Sequence, residues 1–211
     1  MKPTKHEWRK AEKQLYIPKT KPEILDIPTL KFAVISGQGN PNSPFFGEYI
    51  GALYAVSYAI KMTLIKLDDQ PEGYQDYTVY PLEGVWDITE EAKKIKSDVL
   101  NKDDLVFDLM IRQPDFVSDE FFDDMLTFAK SKNDNPLLDQ VMFTCITEGK
   151  SVQMMHIGSY DDEPESFQQM EKFADDNNLI RKSKIHREIY LSDFRKVAPE
   201  KLKTVLRFGV E

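Results

Sequence analysis

The sequence predicts an α+β fold built from duplicated strand-helix-strand-strand modules, which form a curved antiparallel sheet with helices on one side. Three observations predict it. The order strand, Gly- and Pro-containing loop, helix, strand, strand runs over residues 30–111 and returns over residues 152–210. The chain has 211 residues with a 41% apolar share, enough for a packed core. No apolar run approaches the roughly 20 residues that a membrane helix needs. A sheet formed by two such modules is expected to be concave, with a small-molecule pocket between them.

Each element has its own signal. In the first 29 residues Lys and Arg outnumber Asp and Glu, and prolines stand at 3, 18, 22 and 28. This reads as a basic arm with a short helix around Trp8–Leu15, whose apolar ends share a face and can dock on the body. Leu30–Ile35 is a compact apolar strand, and the Gly37–Pro44 loop follows. Phe45–Met62 reads as a helix with Tyr54 and Tyr58 four residues apart on one face. Tyr77–Trp86 reads as a strand in which Pro81 marks an edge or a bulge. A short charged helix is expected over Asp87–Asn101, then a strand over Leu105–Ile111. A helix over Ser118–Lys132 is capped by Ser118. The second half repeats the order. Strand Gln140–Thr147 turns at Glu148–Ser151 into strand Val152–Ile157. A loop, a helix over Glu165–Asn177, strand Ile185–Leu191, a short helix from Pro199 and strand Val205–Val210 complete the chain. The modules span about 30–117 and 140–211.

Charge and cysteine content exclude some functions. Lys+Arg total 28 and Asp+Glu 36, a net charge of 28 − 36 = −8. That argues against general nucleic-acid affinity, which needs clustered cations. One cysteine, Cys145, excludes an intrachain disulfide and a cysteine-cluster metal site, and makes the reducing cytoplasm the expected compartment. Cys145 itself reads as buried in an apolar strand. His6, His156 and His186 lack metal-ligand spacing, so neither metal nor cofactor is expected. The Gly37–Asn42 loop lacks the third glycine of a dinucleotide loop, and its prolines block a helix from starting on it. Asp161–Asp176 reads as a solvated acidic helix face.

Candidate chemistry centres on one strand. His186, Glu188 and Tyr190 alternate onto one face, and Arg187, Ile189 and Leu191 onto the other. That face is either a binding set or a polar face meeting water while the apolar residues face the helix. Glu148 closes a strand beside Gly149; it is either a solvated turn residue or, across a pocket from Glu188, an acid/base partner. Glu83 lies in the corresponding strand of the first module, with its face left open by Pro81 and Gly84. Tyr54, Tyr58, Tyr77, Tyr80, Trp86, Tyr160 and Tyr190 are candidate aromatic walls, with core packing as the alternative for most of them. Aromatic walls around a carboxylate favour planar or cationic ligands.

At the level of motifs the chain resembles the GyrI-like small-molecule-binding family. The resemblance is carried by EGKSVQMMHIGSYDDE over residues 148–163, HREIYLSD over 186–193 and PEKLKTVLR over 199–207, with ISGQGNP over 35–41 and PLEGVW over 81–86 in the first half. It covers the chain from about Leu30 to its end. It implies a ligand-binding domain over residues 30–211 behind an arm over 1–29, of the kind found in effector domains of multidrug-responsive regulators. It also implies a pocket glutamate, here Glu188, that meets cationic aromatic ligands. A free-standing branch of the family includes cyclopropanoid cyclopropyl hydrolases. By that likeness Glu148 and Glu188 are the expected catalytic pair, with Tyr190, Trp86, Tyr54, Tyr58, Glu83, His186 and Tyr80 contacting ligand. Arg187 and Phe194 depart from the family pattern beside Glu188. With no helix-turn-helix before the domain, a complete transcription factor is not expected.

The expected partner is therefore a hydrophobic or cationic aromatic small molecule, with no nucleic acid and no membrane, and with a homodimer as an open possibility. Hydrolysis of a cyclopropanoid electrophile is one outcome of binding. Capture without chemistry, as a sequestering or regulatory protein that binds a small molecule or a protein partner, is the other.

Overall fold

The structure is a computed structural model that describes residues 4–95 and 101–211. Among the described residues the α-helices and strands follow in chain order. They are α1 (Trp8–Ala11), α2 (Lys13–Tyr16), β1 (Glu23–Gln38), α3 (Phe46–Leu64), β2 (Leu82–Ile88), α4 (Glu90–Lys94), β3 (Leu105–Gln113), α5 (Asp119–Lys132), β4 (Met142–Ile157), α6 (Glu163–Asp176), β5 (His186–Tyr190) and β6 (Lys203–Gly209). Strand-helix-strand-strand occurs twice in this order, as β1, α3, β2, β3 and as β4, α6, β5, β6, with the short α4 between β2 and β3 of the first set. Part of the helix expected over Asp87–Asn101 lies outside the described residues.

The sheet is antiparallel throughout its registered ladders. Its strands pair in the order β1-β3-β2-β5-β6-β4, and that order closes on itself. The expected open, curved sheet is corrected accordingly. Two strands are longer than the sequence suggests. β1 starts at Glu23 rather than Leu30 and runs 16 residues through Pro28. β4 also runs 16 residues, so the turn expected at Glu148–Ser151 is absent. Gly149 takes a φ of +67° there, a left-handed conformation that suits glycine, and it kinks the strand without ending it.

The chain divides into two compact units. The first comprises Met1–Trp8, Leu30–Tyr80 and Ile88–Ile146. Here the C-terminal half of β1 pairs with β3, from Lys31 opposite Gln113 to Gln38 opposite Val106. Ala52, Leu53, Val56, Ile60 and Leu64 form the buried stripe of α3, at the 3–4 spacing of one helical face. That helix packs on β3 and α5. Gly37 is required because a Cβ there would meet the Phe107 ring at 2.4 Å. The expected cap holds: Ser118 accepts from the Phe121 backbone N–H at 3.1 Å and starts α5. Cys145, expected in the core, is exposed. The N-terminal half of β4 is largely exposed on both faces, so its apolar residues do not mark a core strand.

The second unit comprises Arg9–Thr29, Pro81–Asp87 and Thr147–Glu211. Its ladder runs β2, β5, β6, β4. Val152 and Met154 of β4, Leu206 and Phe208 of β6 and Met170 and Ala174 of α6 form one buried cluster with Leu179 and Val210. Thus α6 covers the sheet face that carries Val152, Met154, Leu206 and Phe208. Asn178, at φ 56°, follows the helix in the left-handed conformation and ends it. Residues 9–29 pack within this unit, with Leu25 and Ile27 buried. Among the described residues no helix is long and apolar enough to cross a membrane.

Candidate functional site

Register decides what each residue of β5 faces. Glu188 stands opposite Leu206 of β6 and Gly84 of β2, while Arg187 stands opposite Arg207 and Val85. Leu206 belongs to the cluster under α6. Hence His186, Glu188 and Tyr190 face α6, and the reading in which they meet water is corrected. The other face is buried as well, because Arg187 is covered rather than solvated.

On the α6 face a carboxylate is enclosed by donors and rings. Glu188 is 9% exposed. Tyr190 Oη donates to Glu188 Oε2 at 2.7 Å. Trp86, opposite His186 in the register, donates its indole N–H to Tyr190 Oη at 2.8 Å. An indole N–H can only donate, so the phenol's own proton is directed to Glu188. His186 Nε2 lies 3.1 Å from Glu188 Oε1, and its Nδ1 lies 3.2 Å from the Lys184 carbonyl. The Phe167 ring of α6 packs edge-on against His186 at 4.7 Å, and Tyr160 packs edge-on against Tyr190 at 6.0 Å. Burial, then the Glu188 charge, pushes the Tyr160 phenol up to about 12. The same two causes hold Tyr190 well above the ordinary phenol range. Both therefore stay protonated, and Tyr190 remains a donor, at neutral pH.

Glu163, the first residue of α6, joins this group. It is 7% exposed and lies within reach of the Glu188 charge. Burial and the Glu188 charge raise its carboxyl well above the usual carboxylate range. Its Oε1 is buried with no hydrogen-bond partner among the described residues. Sequence reasoning placed Glu163 in a solvated acidic stretch. The signal that could have found it is helical spacing, because Glu163, Ser166, Met170 and Ala174 are the buried stripe of α6.

The opposite face carries a second charged group. Arg187 and Arg207 stand directly opposite each other, an arrangement of like charges that needs compensation. Glu148 supplies it with one oxygen each: Oε1 lies 3.0 Å from Arg187 Nε and Oε2 lies 2.9 Å from Arg207 Nη1. Glu83, 2% exposed, takes Arg187 Nη1 at 2.7 Å. Gln153 Oε1 accepts from Arg207 at 2.9 and 3.2 Å. The carbonyls of Gln14 and Leu15 accept from Gln153 and Arg207, so the N-terminal segment covers the group. Burial pushes Glu148 up, and the two guanidiniums together more than reverse this, holding its carboxyl below the usual range. Glu83 goes the other way: its complete burial outweighs the attraction of Arg187 and Arg207.

The structure thus brings Glu188, Tyr190, Trp86, His186 and Tyr160 together and adds Glu163. It does not bring Glu148 to Glu188, because the two lie on opposite faces of the sheet. Glu83 sits with Glu148. Tyr54, Tyr58 and Tyr80 belong to the first unit. There Tyr54 and Tyr58 stack at 6.1 Å, and Tyr80 lies under the Arg112 guanidinium at 4.7 Å. A cleft of about 350 Å³ in the second unit is lined by His156, Asp162, Glu165, Ser166 and Gln169 among others, and by none of the expected site residues. Among the described residues no group of three or more His, Cys, Asp or Glu is placed to hold a metal ion.

The GyrI-like small molecule binding domain matches residues 20–211 of the chain. No curated protein matches it. Among solved structures, a hydrolase from Listeria innocua is 33% identical over 98% of this chain and 100% of that one, with a TM-score of 0.86. An uncharacterized conserved protein from Listeria innocua is 35% identical over 98% and 100%, with a TM-score of 0.87. The EcmrR C-terminal domain shares the fold at 13% identity over 90% of this chain and 97% of that one, with a TM-score of 0.55.

Proposed function

The chain belongs to the GyrI-like small-molecule-binding family, and we propose that it binds hydrophobic, planar or cationic aromatic molecules on the Glu188 face of β5 and hydrolyses cyclopropanoid electrophiles there. One observation carries the reading: a carboxylate 9% exposed, met by Tyr190 and His186 and walled by Trp86, Tyr160 and Phe167. Aromatic faces and a desolvated carboxylate together select flat molecules, and cations among them. The hydrolase from Listeria innocua, at 33% identity over nearly the whole chain, supports the hydrolytic half.

In that half Glu188 takes a proton from water. The water oxygen bonds to a cyclopropane carbon, one ring C–C bond breaks, and its electron pair moves onto a conjugated carbonyl oxygen. A second acid on the same face gives that oxygen a proton, so the net change is addition of one water. The proposal assigns Glu188 the base role and gives Tyr190, Trp86 and His186 the task of holding the carboxylate and the ligand. It assigns Glu148 and Glu83 to neutralising Arg187 and Arg207. The site uses residues of the second unit alone, working in the cytoplasm.

A second reading is capture without chemistry. It is favoured by both Glu188 oxygens already having partners in the ligand-free protein. Single-turnover product analysis separates the two readings. Incubated with a cyclopropane fused to a conjugated dienone, with enzyme in excess, the protein is expected to return the water-added, ring-opened product. Recovery of the intact cyclopropane from a bound complex establishes capture instead.

A further inference from the structure

We infer that Ser166 and His156 form a nucleophile–base pair in the cleft of the second unit, and that this cleft hydrolyses small carboxylic esters through an acyl-Ser166 intermediate. The inference is independent of the Glu188 reading, because the cleft is lined by none of Glu188, Tyr190, Trp86 and His186.

Two periodicities bring the pair together. Val152 and Met154 of β4 lie in the cluster under α6, and a strand's period of two turns His156 to the same face. Ser166 belongs with Met170 and Ala174 to the buried stripe of α6, so it points back at that face. Ser166 Oγ and His156 Nδ1 meet at 2.9 Å. On the other side of the ring, His156 Nε2 lies 2.9 Å from the Ser159 carbonyl oxygen. A carbonyl can only accept, so Nε2 carries the proton of the neutral imidazole. The ring's lone pair is then on Nδ1, and the Ser166 hydroxyl donates to it. A serine within reach of a base, with that base held in one tautomer by a third group, is the arrangement that activates a hydroxyl.

The surroundings fix the imidazole and leave room in front of the hydroxyl. His156 is buried, and Gly158, at φ +150°, lies against its ring: a Cβ there would meet Nε2 at 3.2 Å. The same Cβ position is 3.7 Å from Asp162 Oδ2, which accepts from the Ser159 hydroxyl at 2.8 Å. A carboxylate therefore stands near the ring on which positive charge forms when His156 takes a proton. Ser166 and His156 both line the cleft of about 350 Å³, a volume within the range of small-molecule pockets, roughly 300–1,000 Å³. Gln169, three residues after Ser166 on the same helix, and Thr20 line it too, and they bring N–H and O–H donors for a developing oxyanion. Met155 adds an apolar wall for a short acyl chain.

The reaction balances with water as the only co-reactant. Ser166 Oγ bonds to the ester carbonyl carbon while its proton passes to His156 Nδ1, and the carbonyl electron pair moves onto oxygen. As that pair returns, the bond to the alcohol oxygen breaks and the alcohol takes the proton from Nδ1. Water then bonds to the acyl carbon and gives a proton to Nδ1. The bond to Ser166 Oγ breaks, and Ser166 recovers its proton from His156. One ester and one water become one carboxylic acid and one alcohol, and both residues return to their starting state.

Two readouts on the full chain test this. The first is release of p-nitrophenol from p-nitrophenyl butyrate. The wild type is expected to turn it over, and Ser166→Ala and His156→Gln are each expected to lower the rate by about a hundredfold or more. The second needs no variant: an alkyl fluorophosphonate is expected to phosphonylate the wild type with loss of fluoride, and peptide mass mapping is expected to place the adduct on Ser166. Labelling of His156→Gln is expected to be slower by a similar factor. If His156→Gln melts well below the wild type, the wild-type adduct and Ser166→Ala decide the matter. A wild type that does not turn over the ester, a wild type left unlabelled at Ser166, or hydrolysis that survives Ser166→Ala overturns the inference. Labelling at an undiminished rate in a folded His156→Gln overturns the pairing of serine with base.

Discussion

Three carboxylates that look alike in the sequence are put to different uses by a one-residue step along β5. Glu188 faces α6 and its aromatic rings, whereas Arg187 turns Glu148 and Glu83 into counter-ions on the other face. Glu148 is a test of that division. Its carboxyl is held below its unfolded value, so it contributes stability above the ordinary carboxylate range that is lost as pH falls through the folded value. Glu148→Gln leaves two facing guanidiniums under-neutralised and is expected to cost about 3 kcal/mol at neutral pH. Thermal melts between acid and neutral pH are expected to show a flatter acid limb than the wild type; an unchanged limb contradicts the assignment. Sequence alternation grouped His186, Glu188 and Tyr190 correctly on one face, because a strand's period of two is geometric. It could not tell which face the helix covers, and it could not place Glu148, because the partners of Glu148 are remote in sequence.

At the scale of elements, local signals were read well where they act locally. Ser118 caps α5 through its own hydroxyl, and β5 and β3 lie within two residues of their expected ends. What escaped was set by pairing. Glu148-Gly149-Lys150-Ser151 carries turn residues, yet the strand continues through it because Ser151 to Ile157 pair with β6 and Gly149 absorbs the kink. The start of α6 escaped for a related reason: Pro164 suits a first helical turn, and Glu163 before it was counted with the exposed acids. The packing of α6 fixes where Glu163 sits, because Glu163 and Met170 share its buried stripe. Met170, fully buried in the cluster, is expected to cost about 2–5 kcal/mol as Met170→Ala, against about 1 kcal/mol for Ser118→Ala. Urea unfolding checks both through a lowered midpoint; a Met170→Ala loss no larger than that of Ser118→Ala contradicts the packing described for α6.

For the molecule as a whole, the repeated strand-helix-strand-strand order was legible, because it is written in apolar runs and turn residues. Closure of the strand order was not, since it depends on β1 and β4 each running 16 residues. The aromatic candidates were legible as types but not as neighbours: Trp86 and Tyr190 share a hydrogen bond across 104 residues of chain, while Tyr54 and Tyr58 pair with each other. The central claim is that a desolvated glutamate, within an acidic chain of net charge −8, gives the site its preference for cations. Titrating wild type and Glu188→Gln with N-methylacridinium and with 9-methylanthracene, a neutral hydrocarbon of the same shape, tests it most directly. The account predicts about a thirtyfold loss of affinity for the cation, equivalent to ~2 kcal/mol, and a much smaller loss for the neutral molecule. Equal losses for the two would contradict it.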